Sequence, residues 1–239
     1  MSPDPPAGGS PCRVVIVAAR NEEERIGATL EALPAALEGA AVWVADDASE
    51  DSTGEIALRR GARVVSRRRP HGKGANVTAA ARAALGEGVD DSDVVLLCDA
   101  DLGASAARLA PLVEAVARGE CDLAIAAFAQ RVGGGFGIAV WSSRRVVERL
   151  TGLHLEAPLS GQRALRAGAL RELMPFADGF GLETAMDVDA ARAGYRVREV
   201  ALDLEHRATG RTPTGFLHRG RQLRDILRVY LSRREVGST

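Results

Sequence analysis

Lysine, cysteine and aromatic residues are all scarce in this chain of 239 residues. Aromatic residues make up 4% of it, and no apolar run approaches the roughly 20 residues that a membrane-spanning helix needs. Segment 1–11 has neither a basic start nor an apolar stretch, so we expect a disordered lead-in and not a secretory signal. The three cysteines are scattered and odd in number. We therefore expect reduced thiols in a cytoplasmic protein, with Cys98 and Cys121 buried in apolar runs.

An excess of charge of either sign is also lacking, because 31 basic and 32 acidic residues leave a formal net charge of −1. This balance excludes a general polyanion binder, and we expect no nucleic-acid partner. The tail differs, since eight arginines stand against three acidic residues from Glu205 onward. Only one of the 31 basic residues is a lysine, Lys73, and it stands between two glycines. In an Ala-, Arg- and Gly-rich chain this lysine can be chance, or it can mark a position that needs a compact ammonium.

What the first half does contain is an alternation of short apolar runs and helical patterns. The runs predict strands at Arg13–Ala18, Ala41–Ala45, Ala62–Ser66, Val94–Cys98 and Leu123–Ala127. The periodic segments predict helices at Glu23–Leu37, from Ser52 and Thr53 to Arg60, at Gly74–Leu85 and at Ala106–Arg118. Continuous apolar strands separated by helices indicate an α/β fold whose mainly parallel sheet is covered on both faces.

The second half is less regular. Helices are predicted at Ile138–Leu150 and Gly181–Ala193, a turn into a short strand at 159–163, and strands at Tyr195–Ala201 and Leu202–His206. An amphipathic helix is predicted at Gly215–Arg234, with one stripe formed by Leu217, Leu223, Ile226, Leu227 and Tyr230. We expect this stripe to pack on the catalytic domain or on a second subunit of a homodimer. The alternative is peripheral contact with the inner face of an anionic membrane. The predicted organisation is a lead-in 1–11, a catalytic domain 12–210 and a basic helical extension 211–239.

Four polar clusters follow predicted strands, where ligands bind in parallel sheets. They are Arg20–Glu23, Asp46–Ser49, His71–Gly74 and Asp99–Asp101. Because all four lie at carboxyl ends of strands, we expect them to converge on one crevice.

Each cluster allows a functional interpretation, as a ligand-binding site, and a purely structural one. Asp99 and Asp101 can hold a divalent cation shared with substrate phosphates, or they can form a solvated turn. Asp47 can accept hydrogen bonds from a nucleoside, or Asp47 or Ser49 can cap the next helix. Lys73 between glycines can neutralise a phosphate, or it can lie in an exposed loop.

Two candidates come from the second half. Glu183 and Asp187 are four residues apart and share a helix face with Asp189 nearby, so they form either a catalytic carboxylate or a solvated acidic surface. His206 ends a predicted strand and is either a metal ligand or a structural histidine.

Taken in order, these motifs resemble the family-2 type of nucleotide-sugar glycosyltransferases with the GT-A fold. The motifs are Ala19–Glu23, Asp46–Thr53, Gly72-Lys73-Gly74 with Asn76, and Asp99–Leu102. The second half is similar to glucosyl-3-phosphoglycerate synthases in Gly133–Gly135, Pro158–Gly161, Gly179–Glu183 and Glu205–Arg207. Dolichol-phosphate mannosyltransferases share the first half and the Ser160-Gly161-x-Arg163 element. Phe136 and Leu204 stand where phosphoglycerate synthases carry arginines, which weakens recognition of an anionic acceptor of that kind.

The resemblance implies a role for each matching residue. It implies donor contacts by Ala19, Arg20, Glu22, Asp47, Lys73, Asp99, Ala100 and Asp101. It implies Mg²⁺ or Mn²⁺ on Asp101 and His206, catalysis by Glu183, Asp101 and Lys73, and acceptor contacts at Gly135, Phe136, Ser160 and Gly161.

The implied reaction moves a hexosyl group from a UDP-sugar, with UDP-glucose the expected donor, to a small-molecule or polyprenyl-phosphate acceptor. Two other classes remain open at this point. A nucleotidyltransferase also uses a doubly wound sheet and two aspartates, but it usually has a glycine-rich loop where this chain has Arg20–Glu23. The other class is a nucleotide-sugar-binding module without turnover.

Overall fold

A single seven-stranded sheet forms the centre of the computed structural model, which describes residues 12–128, 137–204 and 213–234. In chain order the strands are β1 (Cys12–Ala19), β2 (Ala41–Asp46), β3 (Arg63–Ser66), β4 (Val94–Asp99), β5 (Leu123–Phe128), β6 (Arg163–Arg166) and β7 (Val197–Leu202). Their order across the sheet is β3-β2-β1-β4-β6-β5-β7. Only β6 is antiparallel to its neighbours, β4 and β5. The predicted α/β fold with a mainly parallel sheet is confirmed.

Helices cover both faces of this sheet. They are α1 (Ile26–Ala36), α2 (Thr53–Arg59), α3 (Lys73–Leu85), α4 (Ala110–Ala117), α5 (Gly137–Thr151), α6 (Ala167–Leu173), α7 (Leu182–Arg192) and α8 (Pro213–Arg234), with 3₁₀ turns at Gly103–Arg108 and Gly179–Gly181. Alternate residues of β1 enter two separate apolar clusters, with Val15 and Val17 in one and Val14 and Ile16 in the other. This alternation follows from the two-residue period of a strand. All three cysteines are buried thiols, as expected for Cys98 and Cys121.

Several predicted boundaries are wrong, and the sheet explains one of them. The two strands predicted between Tyr195 and His206 are one strand, β7, which ends at Leu202 where its pairing with β5 also ends. Asp203 and Leu204 belong to no strand, and 205–206 lie outside the described residues. The helix predicted at Ala106–Arg118 is a 3₁₀ turn followed by α4, because Pro111 favours the first turn of a new helix. Helix α6 was not predicted.

The C-terminal helix packs on the body of the protein, and its buried face overlaps the predicted stripe in part, since Ile226 is buried and Leu223 and Tyr230 are half-buried. Helix α8 contacts α5, α7 and the turn Gly179–Gly181. Leu227 of the predicted stripe is 55% exposed, and Leu217 lies among side chains that the structure does not describe. The buried positions are Gln222, Asp225, Ile226 and Val229. Two polar residues therefore belong to the buried face, and a count of apolar residues misses them.

An ion pair fastens the end of α8 to the body. The Arg233 guanidinium donates to both carboxylate oxygens of Asp189 on α7, at 2.7 and 2.6 Å. Within the described ranges, no helix combines the length and apolar character needed to cross a bilayer.

Candidate active site

The loops that follow β1 and β2 are joined by reciprocal hydrogen bonds. The backbone N–H of Asn21 donates to Ser49 Oγ at 3.0 Å, and the N–H of Glu50 donates to Asn21 Oδ1 at 2.9 Å. The N–H of Glu22 donates to Thr53 Oγ1 at 2.8 Å. Asn21 and Ala48 adopt positive φ angles of 53° and 55°, which turn the two loops toward each other. Several polar groups of the two motifs therefore bind each other and hold the two loops together at the rim of the crevice.

Asp47, the predicted nucleotide reader, is already engaged by the protein. Its carboxylate accepts the backbone N–H of His71 at 2.8 Å, the N–H of Gly72 at 3.2 Å and the side-chain amide of Asn76. Arg20 lies 3.7 Å from the same carboxylate. The alternative that Asp47 or Ser49 caps α2 is wrong, since Asp51 accepts the N–H of Thr53 at the start of that helix. Asp47 therefore anchors the turn immediately before Lys73.

Lys73 begins α3 and lies between two carboxylates. Its Nζ donates to Asp99 Oδ1 at 2.6 Å and to Glu183 Oε1 at 2.8 Å. Burial disfavours the charged form, but the two carboxylates outweigh it and raise the pKa of Lys73 above its ordinary value. The ammonium is therefore charged at neutral pH, and the alternative of an exposed flexible loop is wrong.

The acidic helix face is also not a solvated surface. Glu183 and Asp187, on α7, are 5% and 0% exposed. Asp187 pairs with Arg163, whose side chain is completely buried. Burial raises the pKa of Asp187 to about 7, against the opposing effect of Arg163. Asp189 is the partly exposed member of the group, and it forms the ion pair with Arg233 that holds the end of α8.

Two glycines of the Lys73 loop and one of the Ser160 turn are required by close packing. A Cβ on Gly74 would lie 1.9 Å from the carbonyl oxygen of Ala177, and one on Gly72 would lie 3.2 Å from the Gly179 nitrogen. These glycines therefore admit the 177–179 segment close to Lys73. A Cβ on Gly161 would lie 2.2 Å from Asp99 Oδ2 and 2.7 Å from Lys73 Nζ. Gly161 thus lies directly against the charged centre.

The sequence prediction missed one residue of this centre, Gln162. Its Nε2 donates to Asp99 Oδ2 at 2.9 Å, and its Oε1 accepts from Ser160 Oγ at 3.1 Å. Buried Arg163 holds the same turn by donating to the carbonyl oxygens of Ser160 at 2.8 Å and Pro158 at 2.9 Å. The signal for Gln162 was its place beside Gly161, but only the antiparallel position of β6 next to β4 brings it to Asp99.

Asp99 and Asp101 lie at the end of β4, where the predicted metal would bind. Both are half-buried, and the Asp101 carbonyl accepts from Arg25 Nη1 at 3.2 Å. Ala100 is buried and its N–H donates to the Ala18 carbonyl at 3.0 Å, which links β4 to β1 beside Ala19. The predicted metal ligand His206 and the predicted acceptor residues Gly135 and Phe136 lie outside the described residues.

The donor set at this strand end fits a hard divalent cation, because Mg²⁺ is commonly held by one or two carboxylates together with substrate phosphates. Among the residues that the structure describes, no group of three His, Cys, Asp or Glu side chains could hold a metal ion by itself. A metal here would therefore need ligands beyond the described side chains, such as substrate oxygens.

Comparisons with known proteins agree with this architecture. The family model for Glycosyl transferase family 2 matches residues 14–170. An undecaprenyl-phosphate mannosyltransferase from Micrococcus luteus is 32% identical over 213 residues, 82% of this chain and 85% of that protein. A dolichyl-phosphate hexose transferase from Haloferax volcanii is 28% identical over 200 residues, 81% and 83% of the two chains.

Solved structures give the same assignment. A glucosyl-3-phosphoglycerate synthase from Mycobacterium tuberculosis, solved with Mn²⁺, UDP and glucosyl-3-phosphoglycerate, matches with a TM-score of 0.74 at 27% identity. The match covers 95% of this chain and 80% of that one. Fold, site and sequence together define a GT-A-type glycosyltransferase. The chain belongs to glycosyl transferase family 2, which sets aside the nucleotidyltransferase alternative.

Proposed function

We propose that this enzyme moves a hexosyl group, with glucose the first candidate, from a UDP-sugar to a phosphate-bearing acceptor with the help of Mg²⁺ or Mn²⁺. The observation that carries the proposal is the position of Lys73 between Asp99 and Glu183 at the carboxyl ends of the strands. The relatives named above supply the two candidate acceptors, a polyprenyl phosphate and a small phosphorylated molecule.

Breaking the anomeric C–O bond leaves negative charge on the departing diphosphate, so the site must supply positive charge there. Lys73 meets this need with an ammonium that its neighbours keep protonated. Because Asp99 and Gly161 confine Nζ, the ammonium is oriented before the donor binds. Asp47 contributes by holding the backbone at His71 and Gly72.

Asp101 and His206 are the residues that would hold the metal. When bound, the cation would neutralise diphosphate charge and so assist departure of the leaving group. Asp99 shares its oxygens between Lys73 and Gln162, which suits a role beside the ribose or a metal-bound water.

Glu183 lies against Lys73 and faces the same centre. A phosphate acceptor is already ionised and needs no general base, so Glu183 would then only position it. An acceptor that reacts through a neutral hydroxyl would need proton removal in an inverting mechanism, and Glu183 is the candidate base. We propose Ser160 and Gly161 with Gly135 and Phe136 as the acceptor side, and residues 12–210 as the catalytic unit that α8 completes.

The proposal is tested by titration calorimetry with UDP, GDP, ADP and CDP, each with Mn²⁺ and with EDTA. UDP should bind most tightly, and EDTA should weaken binding at least about tenfold because phosphate charge is then left uncompensated. Tighter binding of GDP would contradict the donor assignment and favour a mannosyltransferase. Equal binding in EDTA would contradict the metal assignment. Turnover of UDP-glucose with a short polyprenyl phosphate or with 3-phosphoglycerate then separates the acceptors.

A further inference from the structure

Exposed large apolar side chains are concentrated on one part of this molecule. In the described ranges there are five of them, and four lie on α5 or α8: Ile138, Trp141, Leu227 and Leu231. The fifth, Leu58, stands alone on α2. Single exposed apolar residues are ordinary, whereas a group on neighbouring elements usually marks an interaction site. Helices α5 and α8 pack against each other, so the four side chains belong to neighbouring elements.

These four side chains do not belong to the hydrophobic core, because other residues of the same helices form the buried faces. Helix α5 turns Ala139, Ser143 and Val147 inward, and α8 buries Ile226 and Val229. Ile138 and Trp141 lie off the buried stripe of α5 and are 67% and 60% exposed. Leu227 and Leu231 are one turn apart on the outer side of α8, at 55% and 42% exposure. Both helices therefore have a complete inner face and a second, outward apolar face.

The same two helices are strongly basic. Over 137–151 and 220–234 there are eight arginines against two acidic residues, Glu148 and Asp225, which leaves a formal charge of +6. The Arg145 guanidinium lies 5.8 Å from the centre of the Trp141 ring. Arg149 and Arg221 are exposed and have no ion-pair partner within the part of the chain that the structure describes. We call the outward sides of these two neighbouring helices, with Ile138, Trp141, Leu227, Leu231 and the exposed Arg149 and Arg221, the α5–α8 face.

Charge decides between the two occupants that such a face can have. A two-fold homodimer would place this face against its own copy, because the same patch contributes from both subunits. That arrangement brings formal charges of the same sign together around a small apolar centre. An anionic bilayer has the opposite charge, and it accepts Trp at the interface and arginine side chains that extend to the headgroups.

We propose that the α5–α8 face docks the enzyme on an anionic lipid bilayer. The opposite, buried side of α8 packs against the turn Gly179–Gly181, which ends just before Glu183. Docking would therefore hold the acceptor side of the site close to the lipid surface. This last step rests on the proposed function with a lipid-phosphate acceptor, whereas the docking itself does not.

Co-sedimentation with vesicles tests the docking on the full chain. The vesicles are phosphatidylcholine alone or with about one third phosphatidylglycerol, at several salt concentrations. Wild type should bind the anionic vesicles, release as salt rises and bind neutral vesicles weakly. Trp141→Ser with Leu227→Ser, and separately Arg149→Glu with Arg221→Glu, should each lower the vesicle affinity about tenfold or more.

Leu58→Ser and Arg59→Glu are the matched controls, because they change an exposed leucine and an exposed arginine on α2. Both should leave vesicle binding unchanged, and thermal melting checks that every variant folds. The proposal is overturned if wild type ignores anionic vesicles, or if the face variants bind as wild type does. A lipid-free dimer in sedimentation velocity that Trp141→Ser with Leu227→Ser dissociates would also overturn it. UDP calorimetry on the same samples reports on the proposed function separately, since it needs no lipid.

Discussion

Asp47 follows β2 and Asp99 ends β4, two parallel strands on either side of β1, yet the structure uses the two carboxylates differently. The Asp47 side chain is 9% exposed and receives hydrogen bonds from two backbone N–H groups and from Asn76. The Asp99 side chain is 31% exposed and is held by two side chains, Lys73 and Gln162. Asp47 thus shapes a backbone segment, whereas Asp99 belongs to a charged cluster that remains open to the crevice.

The difference shows that a carboxylate at a strand end is not by itself a substrate ligand. What separates the two is the origin of their partners. The partners of Asp47 come mainly from the segment after β3, 24 to 29 residues along the chain, so its bonds form within the first half of the fold. Asp99 meets Gln162, 63 residues away, and shares Lys73 with Glu183, 110 residues from the lysine. Its environment therefore exists only after both halves of the chain have packed.

Removal of Lys73 should have the largest effect on activity. We expect Lys73→Ala to lower UDP-sugar turnover, measured as released UDP, about a thousandfold because the leaving group loses its fixed positive charge. Lys73→Arg should restore little, since Gly161 and Asp99 leave no room for the wider guanidinium. Turnover within about threefold of wild type in Lys73→Ala would contradict the central role of this lysine.

Asp47→Ala should affect stability most. It leaves the N–H groups of His71 and Gly72 and the amide of Asn76 without their acceptor, so we expect a loss of about 3 kcal/mol in unfolding free energy. The matched variant is Asp99→Ala, which should lower turnover strongly but cost less stability, because its site is partly hydrated. Urea unfolding of the two variants measures the contrast. Equal destabilisation would show that the two carboxylates do not differ as proposed.

Gly161→Ala tests how tightly the charged centre is packed. Its Cβ would overlap Asp99 and Lys73, and we expect a loss of turnover of about a hundredfold from displacement of these groups. Gly220→Ala is the control, because a Cβ at that helical position meets nothing within 4 Å. That variant should keep full turnover and gain slightly in melting temperature. A fully active Gly161→Ala enzyme would mean that the centre shifts without cost.

Gln162→Met should have the smallest effect of the four. It keeps the volume of the side chain but removes the hydrogen bond to Asp99, so we expect a loss of about tenfold in turnover. Because Gln162 acts through Asp99, the loss should disappear in an Asp99→Ala background. Additive losses in the double variant would indicate that Gln162 contacts the substrate itself.

The first half of the chain was predicted well, because there each strand and the loop after it can be recognised from a short stretch of sequence. Strands β1 to β5 and the loops after them could be read from apolar runs followed by polar clusters, because every parallel strand delivers its carboxyl end to the same edge. The second half was predicted less well. Strand β6 lies between β4 and β5 although it follows both in sequence, and no pattern in the sequence indicates that insertion.

The sequence by itself determined the α/β class, the positions of Asp47, Lys73, Asp99 and Asp101 at strand ends, and the resemblance to glycosyltransferases. Only the tertiary structure decided that Asp47 anchors a turn, that Glu183 and Asp187 are buried, and that Gly72 and Gly74 admit a neighbouring segment. It also decided which face of α8 is buried, because that face includes the polar residues Gln222 and Asp225. The physical reason is that the spacing of apolar residues indicates which side of a helix or strand is buried. The role of a polar group depends instead on the particular partner that packing places beside it.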